Sequence, residues 1–427
     1  MVQSAIAAAG PAVAGPRIPQ VVSGGQAGDR PAVAAPGSDI RCDLLELLAQ
    51  VPDGRPGQGR DHPVAVVLAL AAAAVVAGMR SFTAIAGWAA DVPAGMLAEL
   101  YERGGAARAP AGPPSKTTIW RVVTGADAPA ADAVAGAWLM ARAACGDDGG
   151  LSMPPAAGSD LAGRQEPLVQ VRVDGKTVRG AKGTDGSQVH LLAALAGEEG
   201  VVAAQTEVGT KTNEIPMIIP LLDGLDLAGT VITADALHCQ RATADYLHRR
   251  GADFVLPVKD NQPGLFDALD ALRWPDAPVA HAATDRGHGR ITTRTIQVLP
   301  APDDLPFPHV SQAYLIERHV TALDGTPLSD IAALGVTSLA ATRATPARLA
   351  GLVRGQWAIE ALHWLRDTLY REDNSTVRTR SGPRVMAALR NLAIGALRLA
   401  GRHDTTEATR WASRYMDRPF TVLGLTS

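Results

Sequence analysis

Val169-Gln170-Val171-Arg172-Val173-Asp174-Gly175-Lys176 alternates apolar and polar side chains and reaches an acid. Further along, Thr230-Val231-Ile232-Thr233-Ala234-Asp235 is apolar apart from its threonines and reaches another. The first run has the period of a half-buried strand, and the second that of a strand buried on both faces and therefore central. An acid closing a central strand lies where α/β sheets gather their sites, at strand C-termini. Asp174 on its own has a blander reading, because Asp-Gly is a favoured hairpin-turn pair.

The segments around these runs decide how they meet. Residues 190–196 and 201–208 read as strands joined by Gly197-Glu198-Glu199-Gly200, and so short a turn implies antiparallel pairing. Thr212 or Asn213 caps a helix through Ile218 and Leu222. Residues 240–250 read as a helix stopped by Gly251, and 252–258 as a fifth strand. Lys259-Asp260-Asn261-Gln262-Pro263 then turns into a helix carrying Leu265, Leu269 and Leu272. The order β-β-β-α-β-α-β is that of a ribonuclease-H-like mixed sheet, in which the first and fourth strands are neighbours. Asp174 and Asp235 are then expected to meet. A third acid, Glu360, stands on a long predicted helix over 346–370, with Trp357, Ile359, Leu362 and Trp364 around it. That company predicts partial burial, and a half-buried carboxylate needs a partner, of which a metal is one. Two strand-end aspartates and a helical glutamate suit a pair of divalent ions about 3.5–4 Å apart, the geometry of phosphodiester chemistry.

The rest of the chain is organised around this α/β core. Residues 1–40 are rich in Ala, Gly and Pro and read as a disordered arm. Residues 41–145 read as an all-α N-terminal domain, 146–168 as a linker, and 169–275 with 345–400 as the core. Residues 276–344 read as a mostly β insertion and 401–427 as a C-terminal tail that ends weakly. The apolar run 64–79 is shorter than the roughly 20 residues of a membrane span and is nearly half Ala, so it reads as a buried core helix. Ser115 caps a short helix carrying Trp120 and Arg121, either a DNA-facing element or an ordinary helix with a buried Trp.

Composition bounds the partners. With 40 basic and 43 acidic side chains in 427 residues, the net charge of −3 offers no global attraction to nucleic acid, so any such surface is a local patch. Candidates are Lys176 and Arg179 beside Asp174, Lys211 before a helix N-terminus, Lys259, His288 and Arg290 in Gly287-His288-Gly289-Arg290, Arg354 and Arg366. Three scattered cysteines make no disulfide framework, and a reducing, cytoplasmic setting is expected. His238, Cys239 and His248 match no closed zinc pattern.

Val173-Asp174-Gly175-Lys176-Thr177-Val178-Arg179-Gly180 resembles the first signature of the ISAs-one-type insertion-sequence transposases, relatives of the H-repeat-associated proteins. Further matches follow in order: Lys211-Thr212-Asn213-Glu214-Ile215, Leu221-Leu222-Asp223-Gly224-Leu225, Thr233-Ala234-Asp235-Ala236-Leu237 with Cys239-Gln240, and Leu256-Pro257-Val258-Lys259-Asp260-Asn261-Gln262. Gly287-His288-Gly289-Arg290 and Arg354-Gly355-Gln356-Trp357-Ala358-Ile359-Glu360 with Leu362-His363-Trp364 complete the set. The resemblance covers residues 41 to about 400. Gln356 replaces the family's usual His, Thr292 its usual acid, and Arg371 stands before Glu372-Asp373 where the family has Gly.

The resemblance implies a DDE transposase with Asp174, Asp235 and Glu360 as catalytic, metal-binding triad, Mg²⁺ as cofactor and Mn²⁺ as a substitute. It implies double-stranded DNA partners (the terminal inverted repeats and a target), a homo-oligomer on DNA, a nucleoid-associated location and no membrane. Three other readings stay open: a decayed copy that binds DNA without cutting, a nuclease on the same fold, and a non-DNA protein whose acids are turns and caps.

Overall fold

The computed structural model describes residues 43–57, 60–106, 110–145, 168–182, 186–209 and 213–426. The expected arm, nearly all of the expected linker, and Lys211 lie outside these residues.

The N-terminal part is helical: α1 (Leu44–Leu48), α2 (Val64–Val76), α3 (Phe82–Ala90), α4 (Ala94–Arg103), α5 (Lys116–Gly125) and α6 (Ala128–Cys145). Pro63 precedes α2, and from Ala65 to Val76 every side chain is buried, as an all-apolar sequence requires of a helix with no polar face. No helix among the described residues is long and apolar enough to cross a membrane. Ser115 caps α5 by accepting from Thr118 N, and Ile119, Val122 and Val123 face the core. Trp120, expected either against DNA or buried, is 40% exposed.

Nine strands form one mixed sheet: β1 (Val169–Lys182), β2 (Gln188–Ala196), β3 (Val201–Val208), β4 (Thr230–Thr233), β5 (Asp253–Val258), β6 (His281–Gly287), β7 (Arg290–Pro300), β8 (Gln312–Ala322) and β9 (Pro327–Thr337). Their order is β3-β2-β1-β4-β5-β9-β8-β7-β6. β1, β4 and β5 are parallel, whereas β1–β2, β2–β3 and every pair from β5–β9 outward are antiparallel. β4 is buried on both faces: Ile232 joins a cluster with α7 (Ile218–Leu222), α8 (Arg241–Arg249) and α9 (Pro263–Asp270), and Val231 joins one on the opposite side. That opposite side is covered by α10 (Pro346–Gly355), α11 (Trp357–Thr368) and α12 (Gly382–Leu399).

Three expectations are corrected. Asp174-Gly175 is not a turn; both residues lie inside β1, opposite Ala193 and Leu192 of β2. The helix expected over 346–370 is broken at Gln356. Gln170 Nε2 donates to Leu352 O and Arg172 Nε to Gly355 O, carbonyls that a continuous helix would give to Gln356 N and Ile359 N. Those amides turn instead to Val353 O and Gln356 O. The residues after Gly401 do not end weakly, because α13 (Thr405–Ala412) and α14 (Asp417–Val422) seal the helical core. Phe420 stacks on Trp88 at 5.7 Å, and the guanidiniums of Arg402 and Arg418 cover Trp411.

A buried polar network joins the helical part to the sheet. Glu372 binds Arg366 at 2.8 Å and Arg390 at 2.7 Å, all essentially unexposed. Gln205 of β3 accepts from Asn391 of α12 and donates to Asp132 of α6, which in turn pairs with Arg384. Burial opposes ionisation of Glu372, but the two arginines outweigh it and hold the carboxyl below its ordinary range. Glu372→Gln strands two buried cations and is expected to cost about 3–5 kcal/mol in urea unfolding. Beside it, Arg371 has φ 50°, a left-handed conformation that suits the family's Gly. Arg371→Gly is expected to raise stability by about 1 kcal/mol in the same assay.

Candidate active site

The register of β1, β4 and β5 sets the geometry. Arg172 is level with Thr233, so Asp174, within β1, and Asp235, just past the end of β4, stand at the same height on adjacent parallel strands. Asp235 Oδ1 accepts from Leu237 N and so turns the chain out of β4. Asn261 Nδ2, in the loop after β5, donates to Ala236 O and holds that turn in place.

Glu360 is brought to these strands by the break in the helix. Gln356 Nε2 donates to Val173 O, next to Asp174, and Thr233 Oγ1 donates to Gln356 Oε1 at 2.6 Å, two residues before Asp235. Gln170 Nε2 also donates to Thr233 Oγ1. Lys176 Nζ reaches Asp367 of α11 at 2.7 Å and Asp373 at 3.4 Å. These contacts seat α11 over the middle of β1 and the end of β4. His363 then lies between the acids, its Nδ1 3.3 Å from Asp174 Oδ2.

The charge of Asp174 acts on both of the other carboxylates. Asp235 is raised above its ordinary pKa first by desolvation and then by the charges of Glu214 and Asp174, against the lowering effect of His238. Glu360 is raised first by desolvation and then by Asp174. Asp174 is thus the member coupled to both. The expected burial of Glu360 is corrected: Ile359 and Leu362 face the core, but Glu360, Trp357 and Trp364 face solvent. Among the described residues no three His, Cys, Asp or Glu side chains are gathered closely enough to cage an ion as they stand. In ligand type the three carboxylates, without a thiolate, suit a hard cation, and Asp235 and Glu360 both carry the unfavourable charge of Asp174.

Of the eight basic candidates, two are internal. Arg366 is 0% exposed in its pair with Glu372, and Lys176 is buried against Asp367 and Asp373, so neither is presented to a phosphate. This corrects both. Arg179 and Lys259 are exposed near the ends of β1 and β5. His288 and Gly289, with φ of 52° and 73°, form the two-residue turn between β6 and β7, and Arg290 begins β7. The turn lies far from the acids. Asp235 is level with Gly335, Tyr314 and Val298, and β7–β9 run on for about eight residues, roughly 25 Å, past that height. Arg290 and Arg294 share the face of β7 with Ile296, which packs against α10, and Arg354 of α10 pairs with Asp285 of β6 at 2.9 Å. Arg294 and Gln356 were not singled out for a role in the sequence; Gln356 lay within a quoted signature without any sign that it bridges two strands.

A His–Glu–His bridge behind the aspartates also escaped sequence reading. Glu214 Oε2 lies 2.7 Å from His190 Nε2 and Oε1 lies 2.9 Å from His238 Nε2, and Thr177 bonds the far side of His190. A Cβ on Gly175 would fall 2.4 Å from Glu214 Oε2 and 2.6 Å from His190 Nε2, which is why the residue after Asp174 is glycine. The only signal was that Glu214 and His238 fall in or beside family signatures.

Comparison with known proteins gives the chain a family. The family described as Transposase DDE domain matches residues 167–395, and the one described as DDE_Tnp_1-associated matches residues 45–139. "Putative transposase YncI" of Escherichia coli O157:H7 is 28% identical over 373 residues, covering 83% of this chain and 87% of that protein. "H repeat-associated putative transposase YhhI" of Escherichia coli K12 is 27% identical over 248 residues, 53% of this chain and 63% of that one. A solved piggyBac transposase synaptic complex with hairpin DNA aligns at a TM-score of 0.33 and 11% identity, over 60% of this chain and 53% of that one, too slight a likeness to carry weight. The chain belongs to the transposase DDE-domain family and is a transposase of the insertion-sequence type.

Burial would raise the Glu214 carboxyl, but the hydrogen bonds from His190 and His238, and then their charges, outweigh it and bring it from 4.5 down to about 2. A depressed carboxylate contributes stability above its unfolded pKa and loses it as pH falls through the folded one. Glu214→Gln is therefore expected to unfold at lower urea than wild type at pH 7, with the gap closing as pH falls from 4.5 towards 2.

Proposed function

We propose that Asp174, Asp235 and Glu360 are the catalytic carboxylates of a divalent-metal-dependent DNA strand cleavage and transfer reaction, and that they hold Mg²⁺, with Mn²⁺ as a substitute. The observation that carries this is the pair of aspartates standing at one height on adjacent parallel strands, Asp174 within β1 and Asp235 just past β4, with the charge of Asp174 acting on Asp235 and Glu360. The order β3-β2-β1-β4-β5 supports reading this half of the sheet as a ribonuclease-H-like core formed by residues 169–275 and 345–400. In this reading 41–145 is an associated helical domain and 276–344 an insertion.

The metal, when bound, lowers the pKa of an attacking water and offsets charge on the phosphodiester. The protein's own part is positional. The backbone turns after β4 and β5 fix Asp235, the Gln356 contacts fix α11, and His363 occupies one oxygen of Asp174. The same site would first free a 3′-OH at the end of the element and then orient it towards target DNA. Arg179, Lys259, Arg290 and Arg354 are the exposed cations placed to meet phosphates, so binding should weaken steeply with salt. Partners in this reading are the terminal inverted repeats and target DNA, with the protein assembled as a multimer on two ends.

The test is cleavage of a labelled duplex carrying the native element end, with Mg²⁺, by wild type and Asp235→Ala. End nicking that disappears in the variant while duplex binding persists is the expected result. Equal cleavage by both proteins removes Asp235 from the site, and end binding without cleavage by either identifies a decayed copy.

A further inference from the structure

Glu360 is bordered on its own helix by two indoles, Trp357 one turn before it and Trp364 one turn after it. They are 58% and 62% exposed. Of the other five tryptophans, Trp120 is partly exposed at 40% and four are covered. Trp88, Trp138 and Trp274 are buried, and Trp411 is covered by two arginines. An exposed indole forgoes the burial that makes Trp worth having in a fold. The fold does not need these two, because Ile359 and Leu362 hold the inner side of α11.

Their spacing ties them to the site. Residues three and four apart on a helix are neighbours, with Cβ atoms about 5–6 Å apart, so both indoles share the outer face with Glu360. Across the two turns from Trp357 to Trp364 the helix rises about 10.5 Å. A strand that lies along α11 with a phosphate at Glu360 has one indole on either side of that phosphate. Arg354, one turn before Trp357, and Arg294 on the facing side of β7 both pair with Asp285, at 2.9 and 2.7 Å, so two cations share one acid and leave net positive charge beside the first indole. Aromatic side chains interleaved with cations on one face are the chemistry of a single-strand platform, in which bases stack and phosphates pair.

We propose that Trp357 and Trp364 stack on the nucleobases flanking the phosphate at Glu360, and that these bases are unpaired when the strand lies in the site. This rests on the reading of Glu360 as a catalytic carboxylate. A base inside a duplex has both faces covered by its neighbours, so stacking on an indole requires the end to open locally. Every base has a π-face, so the platform tolerates any sequence and leaves recognition of the element end to other contacts.

The test is binding by the full chain in EDTA, read as fluorescence anisotropy, of a labelled oligothymidylate and of a blunt duplex. Trp357→Ala and Trp364→Ala are each expected to weaken oligothymidylate binding about 5- to 150-fold, with Phe in either position restoring most of it and duplex binding changed less than about twofold. Quenching of tryptophan emission by oligothymidylate should fall in each Ala variant. Unchanged oligothymidylate affinity in folded Ala variants overturns the proposal. So does an equal loss on blunt duplex, or a change in molecular mass without a change in affinity, which would make this face a contact between copies. Wild type that cuts in an Asp235-dependent manner while the Trp variants bind normally defeats only this inference; wild type that binds neither probe defeats the reading beneath it.

Discussion

The arrangement depends on side chains of β1 competing for carbonyls of a helix. Gln170 takes Leu352 O and Arg172 takes Gly355 O, and the helix between α10 and α11 breaks there. A helix end costs hydrogen bonds unless something else satisfies them. Here the strand supplies the partners, so the break and the attachment are one event. Gln356, at the break, reaches back to Val173 O and Thr233, and Lys176 secures the far end of α11 through Asp367. Glu360 is held over β1 and the end of β4 by contacts none of which it makes itself.

The site accumulates like charge that the fold only partly neutralises. Asp235 and Glu360 are both raised by desolvation and by Asp174, a state a bound cation would relieve. Close by, the same chemistry is resolved internally: Glu214 has both oxygens engaged by histidines and is depressed to about 2. Acids with open oxygens and an acid with none lie side by side, which separates groups available to a substrate or ion from one that holds strands together. The buried Glu372 with its two arginines serves the same structural purpose where the helical part meets the sheet.

Much of this was legible along the chain. The alternation in β1, the apolar run of β4, the Gly-bounded turn between β2 and β3 and the stop at Gly251 are local signals, and each survives in the structure. The errors came from treating local signals as independent of packing. Asp174-Gly175 carries a turn signature but sits inside a strand, because its glycine is required by the Glu214–His190 pair pressed against it. Trp357 and Trp364 argued for burial around Glu360 because Trp is usually buried, whereas the inward positions of α11 belong to Ile359 and Leu362. Arg366 and Lys176 resembled phosphate contacts in sequence, since nothing local distinguishes a basic side chain facing DNA from one facing Glu372 or Asp367.

By itself the sequence determined the element types, the positions of two acids on or just past strands and of a third on a helix, and the signatures that relate the chain to its family, because periodicity, capping and turn chemistry act over a few residues. Only the tertiary structure decided that strands β6 to β9 join the same sheet and project past the acids, that the long helix breaks at Gln356, which cations face inward, and that His190, Glu214 and His238 meet. Those outcomes depend on contacts between residues far apart in the chain, where register and competition for hydrogen-bond partners, rather than local preference, select the arrangement.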